Sequence, residues 1–153
     1  MKALLCKEFG PPETLSYEEI EDPVLKEGHI IVDIHSASVN FPDVLMIEDK
    51  YQFKPPLPFA PGGEASGVIS EIGDGVEGFN VGDRVAYAFS PPLGAYCQVR
   101  DFEADRVIKL PEYISNDEAA SILLQGMTVE YLFERLYKIK KDEIFLFHAA
   151  AGG

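Results

Sequence analysis

Residues 60–85 have the sequence APGGEASGVISEIGDGVEGFNVGDRV, and this stretch decides which kind of fold the chain can form. It contains a strand pattern, EASGVISEI at residues 64–72, and ends where a second one begins, DRVAYAF at residues 83–89. Its seven glycines, together with Asp and Asn residues, favour tight turns around these patterns. The stretch therefore predicts antiparallel strands joined by short turns. Glu64, beside the double glycine, is interpreted as a carboxylate that accepts hydrogen bonds from turn amides.

Further strand patterns lie on both sides of this stretch. They are KALLC at 2–6, LSYEEI at 15–20, HIIVDIHSASV at 29–39, GAYCQVRDF at 94–102 and DRVIKLP at 105–111. Residues 29–39 alternate between two faces, as in a strand with one side buried. Turn segments such as GPPE, SPPLG and VGD separate the patterns. Many short strands with this punctuation indicate a barrel or a sandwich.

The pattern changes after Pro111. Residues 114–143, ISNDEAASILLQGMTVEYLFERLYKIKKDE, have helical periodicity and begin with a capping box formed by Ser115 and Glu118. Gly126 costs about 1 kcal/mol relative to Ala inside a helix, so it either splits the segment or lets another backbone or a ligand approach. The apolar run EIFLFH at 143–148 then predicts a buried parallel strand. We therefore predict a β domain over residues 1–124 and the start of an α/β domain over 125–153.

The charge and the cysteines exclude several classes of function. The formal net charge is −13, from 13 basic and 26 acidic residues, which disfavours binding to nucleic acid or to an anionic membrane. We also expect no signal peptide and no membrane span, because the apolar runs are short. Cys6 and Cys97 are far apart in sequence, and we expect free thiols in a cytoplasmic protein.

Small residues follow the predicted strand in HAAAGG at 148–153. Such residues let the backbone approach the phosphate groups of a ligand, although a plain packing turn has the same composition. Asn40, in SVNFPD, is interpreted either as a helix N-cap or as an amide that reaches a ligand. Tyr51, in the loop that precedes KPPLP, can line a pocket or supply a proton. His29 and His35 lie close together on one strand, and we interpret both as surface or core residues.

Four segments together carry a family resemblance. They are VNFPDVLMIEDKYQFKPPLPFAPGGEASGVISEIGDGVEGFNVGDRV, GAYCQV, LQGMTVEYL and FLFHAAAGG, in this order and with matching gaps. The chain resembles the medium-chain dehydrogenase/reductase superfamily, and within it the zinc-independent, zeta-crystallin-like quinone oxidoreductases. The resemblance implies a mainly β fold with α (α+β): a GroES-like partly open β-barrel, a helical connector, and the first strand of a truncated Rossmann domain. We expect the chain to be about the first half of such an enzyme.

The resemblance also implies a cofactor and its contacts. NADPH is the expected cofactor, with Asn40 and Thr128 at its nicotinamide end and the start of the pyrophosphate loop at Ala150, Ala151, Gly152 and Gly153. Tyr51 matches a pocket position in quinone reductases and the proton-donating tyrosine of enoyl-thioester reductases. No zinc is expected, because Asn40 and Gly63 stand where zinc-dependent relatives place a cysteine and a histidine. Gln125 stands where some relatives have lysine, which puts the substrate preference in doubt.

Three functions remain open at this point. The first is metal-free, NADPH-dependent reduction of quinones or similar electron-poor acceptors by hydride transfer. The second is reduction of an enoyl thioester or alkenal, with Tyr51 as proton donor. The third is a non-catalytic GroES-like module. Because a single apolar strand exposes unpaired backbone groups, we also expect self-association through residues 143–148 as one outcome, folding back or disorder being the others.

Overall fold

The computed structural model describes residues 1–88 and 93–148. Within these ranges, β1 (Lys2–Leu5) and β2 (Ser16–Glu19) form a two-stranded antiparallel sheet. A second sheet of five strands contains β3 (His29–Ala37), β4 (Glu64–Ile72), β5 (Arg84–Ala88), β6 (Val99–Glu103) and β7 (Ile108–Lys109). Its order is β6-β3-β4-β5-β7, with every neighbouring pair antiparallel. The seven strand patterns predicted between residues 2 and 111 are thereby confirmed, as is the mainly β fold class.

The segment before β6 connects the two sheets. Leu4 N–H donates to Tyr96 O at 2.8 Å, Gln98 N–H donates to Lys2 O at 3.0 Å, and Ile34 N–H donates to Gln98 O at 2.8 Å. Isolated bridges join Ala3 to Cys97 and Cys6 to Phe59. The backbone hydrogen bonds therefore pass from the small sheet to β3 of the large one, as in the partly open barrel that the resemblance implies.

Most of the core residues belong to the five-stranded sheet. The buried members of the core are Ile30, Val32, Ala65, Ile69, Val85, Tyr87, Ala95, Phe102 and Val107. Ile30 and Val32 are two residues apart on β3, in agreement with the period of a strand. Register shifts between Ile31 and Val32, and between Ile34 and Ser36, interrupt this period.

Two α-helices accompany the described strands. The first, α1 (Phe41–Ile47), begins directly after Asn40, and Pro42 lies in its first turn. The second, α2 (Asn116–Glu130), begins with the predicted capping box, in which Ser115 N–H donates to Glu118 Oε2 at 2.8 Å. It continues through Gly126 without a break and passes into a π-helical segment, Tyr131–Leu136. Short 3-10 turns lie at Pro12–Thr14 and Ala104–Arg106.

The C-terminal apolar run differs from its prediction. Residues 143–147 have no strand pairing within the described chain; instead, Phe145 and Phe147 pack against Phe133, with ring centroids 5.4 and 5.5 Å apart. Ile144 is 98% exposed and Leu146 is 81% exposed. A buried parallel strand needs hydrogen-bonding neighbours on both sides. The described strands supply none here, so the aromatic residues fold back on the π-helical segment.

Gly67 and Gly126 provide a matched test of this packing. A Cβ at Gly67 would lie 2.1 Å from Asp33 O, whereas a Cβ at Gly126 would meet no atom within 4 Å. We expect Gly67→Ala to lower the free energy of unfolding by about 2 kcal/mol or more, because β3 and β4 must separate. We expect Gly126→Ala to raise it by up to about 1 kcal/mol, through helix propensity. Urea unfolding measures both changes, and equal effects would contradict the packing of β4 against β3.

Candidate active site

Glu64 is a fully buried carboxylate at the start of β4, with an exposed fraction of 0%. Its Oε2 accepts hydrogen bonds from Ser38 Oγ at 2.5 Å and from Asn40 Nδ2 at 2.9 Å. Its Oε1 accepts from the backbone N–H of Leu124, in the middle of α2, at 2.7 Å. The carboxylate therefore binds the residues that lead into α1 and the backbone of α2 at the same time. The prediction that Glu64 accepts hydrogen bonds from turn amides is wrong. The donors described for its side chain are Ser38, Asn40 and Leu124, none of which belongs to the turn at residues 61–63.

Asn40 is the N-cap residue of α1, and its side chain belongs to a buried hydrogen-bond network. Its backbone N–H donates to Asp43 Oδ2 at 2.9 Å, and its backbone carbonyl accepts from Asp43 N–H at 2.9 Å, so it starts α1. Its side-chain Nδ2 donates to Ser38 Oγ and to Glu64 Oε2, each at 2.9 Å. Its Oδ1 accepts from Gln125 Nε2 at 3.3 Å. Asn40 is buried, with only 6% of the residue exposed.

Asp43 is a second buried carboxylate, with 1% of its surface exposed. Burial raises its pKa, and the negative charge of Glu64 acts in the same direction, while hydrogen bonds from Asn40, Tyr96 and Gly63 oppose the rise. Tyr96 Oη donates to Asp43 Oδ2 at 3.0 Å. Burial also raises the pKa of Tyr96, so its phenol remains a hydrogen-bond donor. Among the described residues, Asp43 Oδ1 is buried and has no hydrogen-bond partner.

A cleft of about 830 Å³ runs along α2 beside the end of β5. Leu124, Gly126, Thr128, Tyr131 and Ala88 are among its lining residues. Thr128 is exposed, and its hydroxyl donates to Leu124 O at 2.8 Å. Since Leu124 N–H also binds Glu64, one helical turn connects the buried carboxylate to the wall of the cleft.

The predicted site residues fall into three groups. Asn40 contacts Gln125 directly, and Gln125 lies in the same helix as Thr128. Tyr51 is partly buried in the turn after α1, where its N–H donates to Leu45 O at 3.1 Å. The predicted pyrophosphate loop at 150–153 lies outside the described residues.

The network of Glu64, Asp43 and Gln125 was not predicted from the sequence. These residues are separated by 21 and 61 positions along the chain, and no local pattern pairs them. The sequence does contain one indication of buried polar groups. Polar residues stand next to apolar strand and helix patterns, Glu64 in EASG and Gln125 in LLQG. Over residues 1–88 and 93–148, no three His, Cys, Asp or Glu side chains are arranged to hold a metal ion. No helix there is long and apolar enough to cross a bilayer.

The raised pKa of Asp43 predicts a pH dependence of stability. The folded state favours the protonated form of Asp43. The stability that this preference contributes is fully present below the ordinary pKa of 3.8, and it is lost as the pH rises through the higher pKa of the folded state. Asp43→Asn removes the charge, and its amide nitrogen can occupy the place of the unpartnered Oδ1. We expect the melting temperature of Asp43→Asn, relative to the wild type, to increase as the pH rises from 4 toward 8.

The control for this measurement is Asp74→Asn, which removes one exposed charge far from the network. Its melting temperature should follow that of the wild type across the same pH range. A constant difference between Asp43→Asn and the wild type would show that Asp43 titrates normally in the fold.

Comparisons with known proteins agree with this architecture. The sequence matches the family described as Alcohol dehydrogenase GroES-like domain over residues 26–133. It is 45% identical to a quinone oxidoreductase of Salmonella typhimurium (strain LT2), over 94% of this chain and 43% of the relative. It is 36% identical to a 2-haloacrylate reductase of Burkholderia sp, over 100% of this chain and 46% of the relative.

The structure is similar to a solved one. The crystal structure of Escherichia coli quinone oxidoreductase complexed with NADPH superimposes with a TM-score of 0.94, at 42% sequence identity. That match covers 100% of this chain and 46% of the other, so the chain spans about half the length of the curated relatives it matches. The chain belongs to the alcohol dehydrogenase GroES-like domain family.

Proposed function

We propose that this chain supplies the acceptor side and the nicotinamide-facing residues of a metal-free, NADPH-dependent reductase of quinones or similar electron-poor acceptors. The observation that carries the proposal is the Glu64–Asn40–Gln125 network, which holds Asn40 beside the helix that presents Thr128 to the cleft. The relatives named quinone oxidoreductases, and the relative solved in complex with NADPH, support it.

The residues present fit the nicotinamide end of such a cofactor. The cleft is lined mostly by apolar and small residues, among them Leu124, Gly126 and Ala88. Thr128 and the ion pair of Glu130 and Arg135 complete the lining. A mostly apolar cavity with a few oriented polar groups is typical of a small-molecule site. When bound, the reduced nicotinamide supplies a hydride, and one proton completes the conversion of a quinone carbonyl pair to a hydroquinone.

Thr128, which lines the cleft, would contact the ring. Asn40, whose amide is bonded to Ser38, Glu64 and Gln125, would act from behind it at the nicotinamide end. Tyr51 would form part of the acceptor pocket.

The network determines what this chain contributes to such a reaction. Positioning alone can account for a large part of a rate enhancement when the reacting groups are held in contact. Glu64 fixes the Asn40 amide by two hydrogen-bonded partners and fixes α2 through Leu124 N–H. The two walls of the proposed site, one on the loop before α1 and the other on α2, therefore keep a constant separation.

A second candidate is reduction of an activated alkene. The observation that favours it is the match to a 2-haloacrylate reductase along the whole chain. In this reaction the hydride is added to one alkene carbon and a proton to the other, and Tyr51 would donate that proton. The third candidate is a non-catalytic GroES-like module, and the next experiment separates it from both enzymes.

We expect NADPH to bind the purified chain with an affinity that Thr128→Val lowers. Thr128 lines the cleft, and its hydroxyl, which donates to Leu124 O, can still accept a hydrogen bond. Thr14→Val is the matched control, since the Thr14 hydroxyl also donates to a backbone carbonyl, Pro11 O, but on the first 3-10 turn. Nicotinamide fluorescence measures the binding, and quinone and enone assays are run in parallel. Absence of binding at millimolar NADPH would contradict the proposal and leave the non-catalytic module.

Tyr51→Phe tests the second candidate. If this variant loses enone turnover but keeps quinone turnover, Tyr51 is the proton donor of the second candidate.

We also propose self-association through the apolar residues of 143–148. Ile144 and Leu146 are 98% and 81% exposed. Burying a Leu or Ile side chain contributes about 1.5–3 kcal/mol. Association with a second copy of the chain would bury Ile144 and Leu146. We expect Ile144→Lys with Leu146→Lys to shift sedimentation toward the monomer. The control Tyr113→Lys changes an 82% exposed residue elsewhere, and an equal shift in both variants would contradict this interface.

A further inference from the structure

A cavity of about 290 Å³, here called the junction cavity, lies where the two-stranded sheet meets the second half of β3. It shares no lining residue with the cleft along α2. Its more buried lining residues are apolar or aromatic: Ala95 is 1% exposed, and Ile34 and Tyr96 are partly buried. The volume is at the small end of the range for ligand pockets, so the junction cavity admits one small organic molecule.

The exposed lining residues of the junction cavity carry hydrogen-bond donors. Lys2, His35 and Gln98 are exposed there, and none of the described residues that line the cavity is Asp or Glu. The cavity of about 610 Å³ at the start of β3, in contrast, is lined by three glutamates and one aspartate. In a chain with a net charge of −13, the junction cavity is therefore a place where an anion meets donors and no lining carboxylate.

Lys2 is the cation of this cavity. Its Nζ lies 5.7 Å from the centre of the Tyr17 ring, and none of the ion pairs within residues 1–88 and 93–148 involves it. The backbone N–H of Lys2 donates to Gln98 Oε1 at 2.8 Å, so the oxygen end of this amide is bound and its nitrogen keeps two donors. Tyr17 is 66% exposed and supplies an aromatic face beside the ammonium group.

Glu19 is the carboxylate that opposes this charge. It pairs with Lys2 in the register of β1 and β2, and directly opposite residues of an antiparallel pair share one face. The two side chains form no ion pair in the described chain, because the Lys2 ammonium lies over the Tyr17 ring instead. Glu18, the neighbouring carboxylate on β2, is paired with Lys7. Glu19 therefore weakens the positive potential of the cavity without occupying the ammonium group.

We propose that the junction cavity binds a small aromatic carboxylate. The carboxylate accepts charge-assisted hydrogen bonds from Lys2 Nζ and from Gln98 Nε2, and the exposed imidazole of His35 adds an N–H donor. The aromatic ring lies on the apolar lining beside Tyr17, where offset or edge-to-face packing is favourable. This site is independent of the proposed function, because it shares no residue with the cleft.

Benzoate, benzamide and acetate, titrated by NMR against the isotope-labelled chain at pH 7, test the proposal. Benzamide has the ring without the charge, and acetate has the charge without the ring. We expect benzoate to bind with a Kd of about 1 mM and to shift the signals of the Gln98 side-chain amide and the Ala37 methyl group, both of which line the cavity. We expect benzamide and acetate to bind about fivefold more weakly or less.

Three variants locate the binding. Lys2→Met removes the charge and keeps an unbranched side chain, so we expect it to weaken benzoate binding about fivefold and to leave benzamide binding unchanged. Glu19→Gln removes the opposing charge and is expected to strengthen benzoate binding about twofold. Lys141→Met is the matched control, because Lys141 is also exposed and outside the described ion pairs, and it should leave all three affinities unchanged.

A preference for benzoate that Lys2→Met removes and Lys141→Met preserves supports the proposal. Equal binding of benzoate and benzamide, or of benzoate and acetate, overturns it. Equal weakening in both lysine variants overturns it as well, because the attraction would then be non-specific. Absence of benzoate binding at concentrations well above the expected Kd has the same meaning. Since the cleft contributes no residue to this cavity, each of these results holds whether or not NADPH binds.

Discussion

The hydrogen bonds of one buried carboxylate hold the proposed site together. Glu64 is at the start of the central strand β4, yet it accepts hydrogen bonds from Ser38, Asn40 and Leu124. Ionised groups in a protein interior are costly unless they are well hydrogen-bonded, and donors to a charged acceptor form stronger bonds than those to a neutral one. The three donors therefore stabilise the carboxylate where it is, and the carboxylate keeps α1, β4 and α2 in a single arrangement.

The second carboxylate shows that this arrangement has an electrostatic cost. Asp43 is as deeply buried as Glu64, and none of the ion pairs among the described residues involves either of them. In a chain with a net charge of −13, no excess of basic residues offsets them. Burial and the charge of Glu64 raise the pKa of Asp43. A proton bound to Asp43 removes the repulsion between the two carboxylates. The negative charge of Glu64 thus adds to the effect of burial on Asp43.

The sequence predicted the parts of the fold that local rules determine. The period of β3, the turns around β4 and the capping box at Ser115 each depend on residues a few positions apart, and the structure confirms them. The prediction of a strand at 143–148 was wrong. A strand forms only beside hydrogen-bonding neighbours, and a local sequence pattern does not show whether such neighbours are present. The helical stripe from Ala119 to Leu136 is likewise only partly buried: Ala119 is 4% exposed, but Met127 is 54% and Leu136 is 60% exposed. Asn40 and Thr128 were predicted from the resemblance, whereas their connection through Gln125 required the structure.

The exposed apolar face and the buried polar network have opposite implications for what this chain can do alone. Ile122, Met127 and Tyr131, each more than half exposed, lie on or near the cleft and would bury more surface against another layer of protein. The network needs no such layer, because its donors all come from residues 38–125. The orientation of Asn40 and Gln125 is therefore a property of this chain, while enclosure of the cleft is not. Exclusion of water from the cleft would strengthen each polar contact within it, so we expect weak but correctly oriented ligand binding wherever the apolar face stays uncovered.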